Sequence, residues 1–330
     1  MDHTKSAESP LKEAGTAGSH VAAAFEQLNN EIRLSILLAL WEVYDPYGTN
    51  EPVSFSELYD SVPVGDSANF TYHLDKLTDH FVEKTDDGYK IRNAGMIIAR
   101  AIIAGAGFEE SAVSTTELEF SCHRCGEGRV EISYEDEAVY LKCLECEGFT
   151  TAEDQPPGTI GKFWLDPAGL ADRQPQELLT ASVIRTENRN RMMKQGVCPA
   201  CSGTIETSLH LCEEHRPESK AVCPNCERRD SVRVRYVCTV CKNRNRRPVE
   251  LTVIDHPDFI AFYDDHDIDL RWDIDDSDEC LRLMEHMWAM EHSLISTDPV
   301  RIRVTAPCDG DELELLLDEE LDIIDVSQSS

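Results

Sequence analysis

Cysteine spacing constrains this chain more than any other feature. Eleven of its 13 cysteines and one histidine fall into six short knuckles. These are Cys122-His-Arg-Cys125, Cys143-Leu-Glu-Cys146, Cys198-Pro-Ala-Cys201, Cys212-Glu-Glu-His215, Cys223-Pro-Asn-Cys226 and Cys238-Thr-Val-Cys241. A two-residue spacer lets both ligands of a knuckle reach one ion, and two knuckles complete a tetrahedron. In chain order, Cys122/Cys125 pairs with Cys143/Cys146 across 17 residues, Cys198/Cys201 with Cys212/His215 across 10, and Cys223/Cys226 with Cys238/Cys241 across 11. The last two clusters adjoin, so an exchange in which Cys198 and Cys201 share an ion with a later knuckle stays open. Twelve ligands make three full tetrahedra with no position left for water. The expectation is three structural zinc ions rather than catalytic ones. Cys280 and Cys308 lack a spaced partner. The first 20 residues have no apolar stretch after their charges, so they read as a flexible tail (1–19), not a secretion signal. Paired thiols without such a signal favour metal over disulfides, in a cytoplasmic protein.

Residues 20–108 contain no cysteine and carry a different pattern. Phe25, Leu28, Ile32, Ile36, Leu37 and Leu40 form an apolar stripe of helical period over 21–45, closed by Pro46 and Gly48. Ser54 and Glu57 stand at capping-box spacing ahead of a short helix. Pro63 and Gly65 make a turn, and Phe70, Leu74 and Leu77 share one face of a third helix. The segment VEKTDDGYKIRN alternates around Asp86-Asp87-Gly88, a hairpin signal, and AGMIIARAIIAGAGF closes as an apolar helix. Helix, helix, helix, hairpin, helix, with a tight turn between the second and third helices, is the order of a winged helix-turn-helix.

The stretch NFTYHLDKL, followed by V-E-K-x-x-x-G-Y-K-I-R-x-A-G, resembles the ArsR-like winged-helix transcription regulators of extremely halophilic archaea. The likeness spans residues 20–108 and is looser beyond 115. It implies double-stranded DNA as partner and a homodimer. In a helix-turn-helix the second helix of the motif enters the major groove. Here that helix covers roughly 67–80, and Ser67, Asn69, Thr71, Tyr72, His73 and Lys76 are read on its face away from the apolar stripe. Short polar donors suit base edges and phosphates. Lys84, Lys90 and Arg92, in or beside the wing, suit phosphate contact.

The remainder reads as a first ribbon (118–150), a linker and helix (151–196), two further ribbons (197–247) and an acidic C-terminal α/β unit (248–330). In that last unit, 257–296 is predicted to form two helices, and RIRVTAPCDGDELELLLD a hairpin around Asp309-Gly310, before a final strand near LDIIDV. The fold class expected is α+β. Net charge is −32, and Arg outnumbers Lys 21 to 10, a composition suited to solubility in high salt. Charge is uneven: 20–108 carries −7, 197–247 carries +4 and 248–330 carries −20. The basic island holds Arg228, Arg229, Arg233, Arg235, Lys242, Arg244, Arg246 and Arg247. It reads either as a second phosphate-binding surface or as a counter-surface for the acidic segment after it. His256, His266, His286 and His292 fit no helical ligand spacing and read as solvated, and the Met and Trp stripe at 284–290 reads as core or dimer seam. No run is long and apolar enough for a bilayer. No phosphate loop, nucleophile elbow or His-Glu-x-x-His occurs, so no enzyme or small-molecule substrate is expected. The sequence thus points to a DNA-binding transcription regulator stabilised by zinc, with a zinc-ribbon adaptor that uses its winged helix for protein contact as the alternative.

Overall fold

The computed structural model describes residues 26–48, 51–105, 113–126, 128–151, 155–212, 214–215, 222–270 and 277–329. The tail 1–19, the start of the first predicted helix and part of the 153–161 linker lie outside them. The chain divides into two compact units, Met1–Glu109 and Glu110–Ser330.

In the first unit, helix α1 (Glu31–Glu42) follows Asn30, whose side chain accepts from the Arg33 N–H. Helix α2 (Phe55–Asp60) begins with the Ser54–Glu57 capping box, both halves of which are formed. Helix α3 (Ser67–Leu77) is capped by Asp66, which accepts from the Asn69 N–H at 2.8 Å. Strands β1 (Val82–Thr85) and β2 (Gly88–Ile91) pair antiparallel, with Thr85 opposite Gly88 across the turn. Helix α4 (Asn93–Ile103) ends the unit. Ile36, Leu37 and Leu40 of α1, Leu58 of α2, Phe70, Leu74 and Leu77 of α3, and Met96 and Ala99 of α4 form one buried core. Phe55, Tyr59 and Phe70 add edge-to-face ring contacts where α2 meets α3.

Among the described residues the second unit holds three antiparallel sheets. The first is a meander of β3 (Val113–Ser121), β4 (Arg129–Glu135), β5 (Ala138–Cys143) and β6 (Thr159–Trp164). Helix α5 (Pro175–Lys194) packs Leu178, Leu179 and Val183 into the same core as Val130, Ile132, Leu141 and Ile160. The second sheet is β7 (Ile205–Leu211), β8 (Val232–Cys238) and β9 (Arg244–Pro248). After helices α6 (Pro257–Asp264) and α7 (Ser277–Ala289), the third is the meander β10 (Glu291–Thr297), β11 (Val300–Cys308), β12 (Asp311–Leu317) and β13 (Ile323–Ser329).

Two expectations are corrected here. Residues 159–164 are strand, because Ile160 and its neighbours extend the first sheet through pairing with β5. Helix α7 ends at Ala289, and Leu294 and Ile295 sit in β10, where backbone pairing with β11 outweighs the helical period. Helix α7 also shows why the acidic C-terminal segment is not separate from the cysteine-rich one. Its Cys280 and Met284 join the core under the first sheet, while Leu283 and Met287 join a core shared by Val232, Val234 and Tyr236 of β8 and Val304 and Leu315 of the last sheet.

Candidate metal centres

Four of the six knuckles are tight turns held by the same backbone bond. The Cys122, Cys198, Cys223 and Cys238 carbonyls each accept an N–H four residues on, at 2.8–3.2 Å. The residue at that fourth position has positive φ: Gly126 (80°), Ser202 (60°), Glu227 (55°) and Lys242 (63°). Backbone N–H groups turn inward onto sulfur, as with Arg124 on Cys122, Ala200 on Cys198 and Val240 on Cys238, all at 3.4 Å. These donors offset thiolate charge.

Three groups result, each with its four ligand atoms within 4.8 Å of one another: Cys122, Cys125, Cys143 and Cys146; Cys198, Cys201, Cys238 and Cys241; and Cys212, His215, Cys223 and Cys226. Sulfur separations are 3.9 Å (Cys122–Cys146), 3.7 Å (Cys125–Cys143), 3.6 Å (Cys198–Cys241) and 3.5 Å (Cys201–Cys238). A disulfide needs about 2.05 Å. A tetrahedron of sulfurs about 2.3 Å from a central ion has edges near 3.8 Å, so the groups are suited to hold a metal ion. Gly128 belongs to the first cradle: a Cβ there would lie 2.4 Å from the Cys143 sulfur and 2.9 Å from that of Cys125.

The ligands predicted from spacing are the ones brought together, but the second and third groups are paired differently. The knuckles interleave. Strands β7 and β8 are antiparallel, with Ile205 opposite Cys238 at one end and Leu211 opposite Val232 at the other. The knuckle before β7 therefore meets the knuckle after β8, and the knuckle after β7 meets the one before β8. A seven-residue strand spans about 20 Å, so the Cys198 and Cys212 knuckles at its two ends cannot share an ion. Metal counting checks this nesting. Cys198→Ser with Cys238→Ser is expected to cost one ion per chain, and Cys198→Ser with Cys212→Ser to cost two. The reverse result would restore the chain-order pairing.

The centres are cross-tied. Thr150 Oγ1 donates to the Glu227 carbonyl (2.7 Å), and Arg229 Nε to the Gly148 carbonyl (2.6 Å), joining the Cys143 knuckle to the Cys223 knuckle. His123, inside the first knuckle, stacks on Trp288 of α7 with ring centroids 4.0 Å apart. Burial, with Arg124 and Arg229 adding to it, pushes its pKa down to about 3, so its ring is neutral. Arg124 lies 4.0 Å over the Phe149 ring. Nothing in the spacing rules marks these aromatic contacts.

Between the second and third groups, the outer face of β7–β9 is basic. Arg233 and Arg235 alternate with inward Val232, Val234 and Tyr236. A cleft of about 380 Å³ is lined there by residues including His210, Asn225, Arg228, Arg233, Arg235 and Arg246. Burial, then the charges of Arg235, Arg246, Arg228 and Arg233, hold the His210 imidazole below its ordinary range. Other members of the island are used internally. Arg247 pairs with Glu187 at 3.1 Å, both largely buried, and Arg233 pairs with Asp230.

His292 is a correction. It is 7% exposed, not solvated: Nδ1 lies 2.7 Å from Glu250 Oε2 and Nε2 lies 3.1 Å from Ser231 Oγ. Serine, histidine and carboxylate in this order resemble a nucleophilic triad. The Val232 N–H, however, donates at 3.2 Å to the same Nε2 that would have to take the serine proton. The chain of contacts therefore ties β10 to β8. His256 caps α6 and His266 bonds the Phe262 carbonyl and Asp311. Among the described residues, neither these histidines nor His286 joins a ligand group.

On α3, Ser67, Asn69, Thr71, Tyr72 and Lys76 are exposed, and Lys76 Nζ sits 5.6 Å over the Tyr72 ring. Lys84 and Arg92 are exposed and Lys90 half-buried on the hairpin side. His73 is corrected: it is buried at 8%, since it falls one residue before Leu74 on the packed face. Burial, then the Arg33 charge, lower its pKa, which keeps the ring neutral.

Fold and site together define a mixed α/β protein whose second unit is organised around three groups suited to hold metal ions. No helix among the described residues is long and apolar enough to cross a membrane. The chain belongs to the family described as "Domain of unknown function (DUF7351)", whose family model matches residues 119–323. A second model, "Domain of unknown function (DUF7347)", matches residues 21–102. No curated protein and no solved structure matches the chain.

Proposed function

We propose that this protein is a sequence-specific DNA-binding transcription regulator, stabilised by three structural zinc ions. The observation that carries the reading is the first unit: three helices, a hairpin and a closing helix, with α3 turning a polar face outward and Lys84 and Lys90 on the hairpin. That order supports a winged helix-turn-helix of the ArsR-like, halophilic kind, with α3 as the reader helix. Asn69, Thr71, Tyr72 and Lys76, with Ser67 at the first turn, would meet bases and phosphates, and Lys84, Lys90 and Arg92 the flanking backbone. His73 has no part in it. A homodimer supplies two such helices to one site, in the cytoplasm.

Zinc is favoured by the donor set. Thiolates with one imidazole in tetrahedral arrangement suit zinc, and four protein ligands leave no open position for chemistry. Zinc would supply folding energy there. The acidity of 20–108 favours the other reading, in which the winged helix grips a protein partner, because nonspecific DNA affinity comes from basic residues.

Fluorescence anisotropy with a native promoter fragment separates the two. Tyr72→Ala with Lys76→Ala is expected to weaken binding by about tenfold or more, with an unchanged thermal transition, since both side chains are exposed. Unaltered binding would overturn the reading in favour of the adaptor.

A further inference from the structure

We propose that the arginine cleft on the outer face of β7–β9 is a binding site for phosphate groups, separate from α3 and independent of its role. Four guanidinium groups line the cleft: Arg233 and Arg235 from β8, Arg246 from β9 and Arg228 from the turn before β8. Among the described residues two carboxylates line it with them, Glu227 and Asp230, and Asp230 is committed to Arg233.

The arrangement runs against the rest of the chain. The chain as a whole has 63 acidic residues to 31 basic ones. Arg235 stands directly opposite Arg246 in the sheet register. Like charges directly across two strands destabilise a sheet. The Nε atoms of Arg233 and Arg235 are buried without hydrogen-bond partners among the described residues. Their stems are thus held by packing. For Arg235, no hydrogen bond or ion pair within the described residues takes up its terminal nitrogens, which remain to bond a ligand. Planar guanidinium groups held in this way match the oxygens of phosphate bidentately.

The lining also narrows the ligand. Among the described lining residues His210 is the one aromatic ring, and four arginines stand with it, so charge and oxygen geometry dominate what the cleft recognises. Arg244, exposed two residues before Arg246, continues the basic row by about 7 Å along β9. The phosphate can therefore come from a nucleic-acid backbone lying across the sheet, or from a free phosphoanion held in the cleft alone.

The test uses the full-length, metal-loaded chain and the variant Arg235→Gln with Arg246→Gln. Two probes are titrated over graded potassium chloride: a labelled duplex of scrambled sequence, and pyrophosphate by calorimetry. Arg246→Gln alone, at an exposed position, serves as the second variant should the double one lose metal. If the ligand is a nucleic-acid backbone, the double variant is expected to bind the duplex about tenfold or more weakly, with a log–log salt slope smaller by about two, and the single variant by about one. If it is a free phosphoanion, pyrophosphate binding is lost and duplex binding is unmoved. Either result supports the site. Equal binding of both probes by the wild type and the variants, or no binding of either by the wild type, overturns it. Because Tyr72→Ala with Lys76→Ala alters only the first unit, failure of this proposal and failure of the α3 reading give different results.

Discussion

Stripping the metal from the intact chain is expected to unfold the second unit and leave the helical signal of the first. The ribbon strands share their cores with α5, α7 and the last sheet, and the metal groups close the ends of those strands. Structural zinc sites of cysteine and histidine supply apparent binding energies of about 10–16 kcal/mol in small peptides, against whole-domain stabilities of about 5–15 kcal/mol. The loss should also spread. The Cys143 and Cys223 knuckles share hydrogen bonds through Thr150 and Arg229, and Trp288 of α7 rests on His123 inside the first knuckle. α7 in turn contributes to both cores of the unit. A chelator titration followed by circular dichroism in high salt should therefore show loss of strand signal in one broad transition, with hydrogen exchange retaining protection in 31–103. The first unit has no cysteine, and among the described residues none of its side chains joins a ligand group. A reversible loss of DNA binding with all secondary structure intact would mean instead that the ions act as sensed ligands, coupled to α3, and would defeat the structural reading.

Local chemistry was legible in the sequence; long-range pairing was legible only in part. The Ser54–Glu57 capping box, the Asp86-Asp87-Gly88 hairpin and the Asp309-Gly310 hairpin depend on neighbours a few residues apart, and all three are formed. The ligand set was legible for the same reason. What chain order misassigned was which knuckles meet, and the signal for that lay in gap length. The 17 residues between Cys125 and Cys143 hold two strands and a turn, β4 and β5, so that pair of knuckles closes on itself. Gaps of 10 and 11 residues hold one strand each, β7 and β8, and one strand carries its two ends apart. His73 and His292 were misplaced for another reason. Polarity says that a histidine prefers water, but burial is tolerated when the ring is neutral or when, as with Glu250 against His292, a partner satisfies it. Leu294 and Ile295 extended the apolar period of α7 by one turn, and only pairing with β11 decides that they are strand.

Gly128→Ala is expected to remove one metal ion of three. The added carbon would stand 2.4 Å from the Cys143 sulfur and 2.9 Å from that of Cys125, both far inside van der Waals contact. Relief could come from three directions. The backbone of Gly128 could retreat, but its carbonyl accepts the Cys122 N–H at 2.8 Å, the bond that closes the first knuckle. Cys143 could move, but it ends β5, and its N–H is bonded to the Gly158 carbonyl at 2.8 Å. The sulfurs could rotate away. A free thiol would do so at little cost, whereas a thiolate bound to an ion would have to give up the bond. The outcome therefore depends on whether an ion is held there. With metal bound, the variant should contain two ions per chain and lose about 4–5 kcal/mol or more, within the exceptional range for a point substitution. Gly65→Ala is the control, because a Cβ there has nothing within 4 Å, and its stability should change by no more than about 1 kcal/mol. Metal content and thermal denaturation of the two variants, purified without chelator, decide the matter. Three ions and an unchanged transition in Gly128→Ala would mean that the Cys125 and Cys143 sulfurs are free to swing, and that the first group does not grip an ion in this geometry.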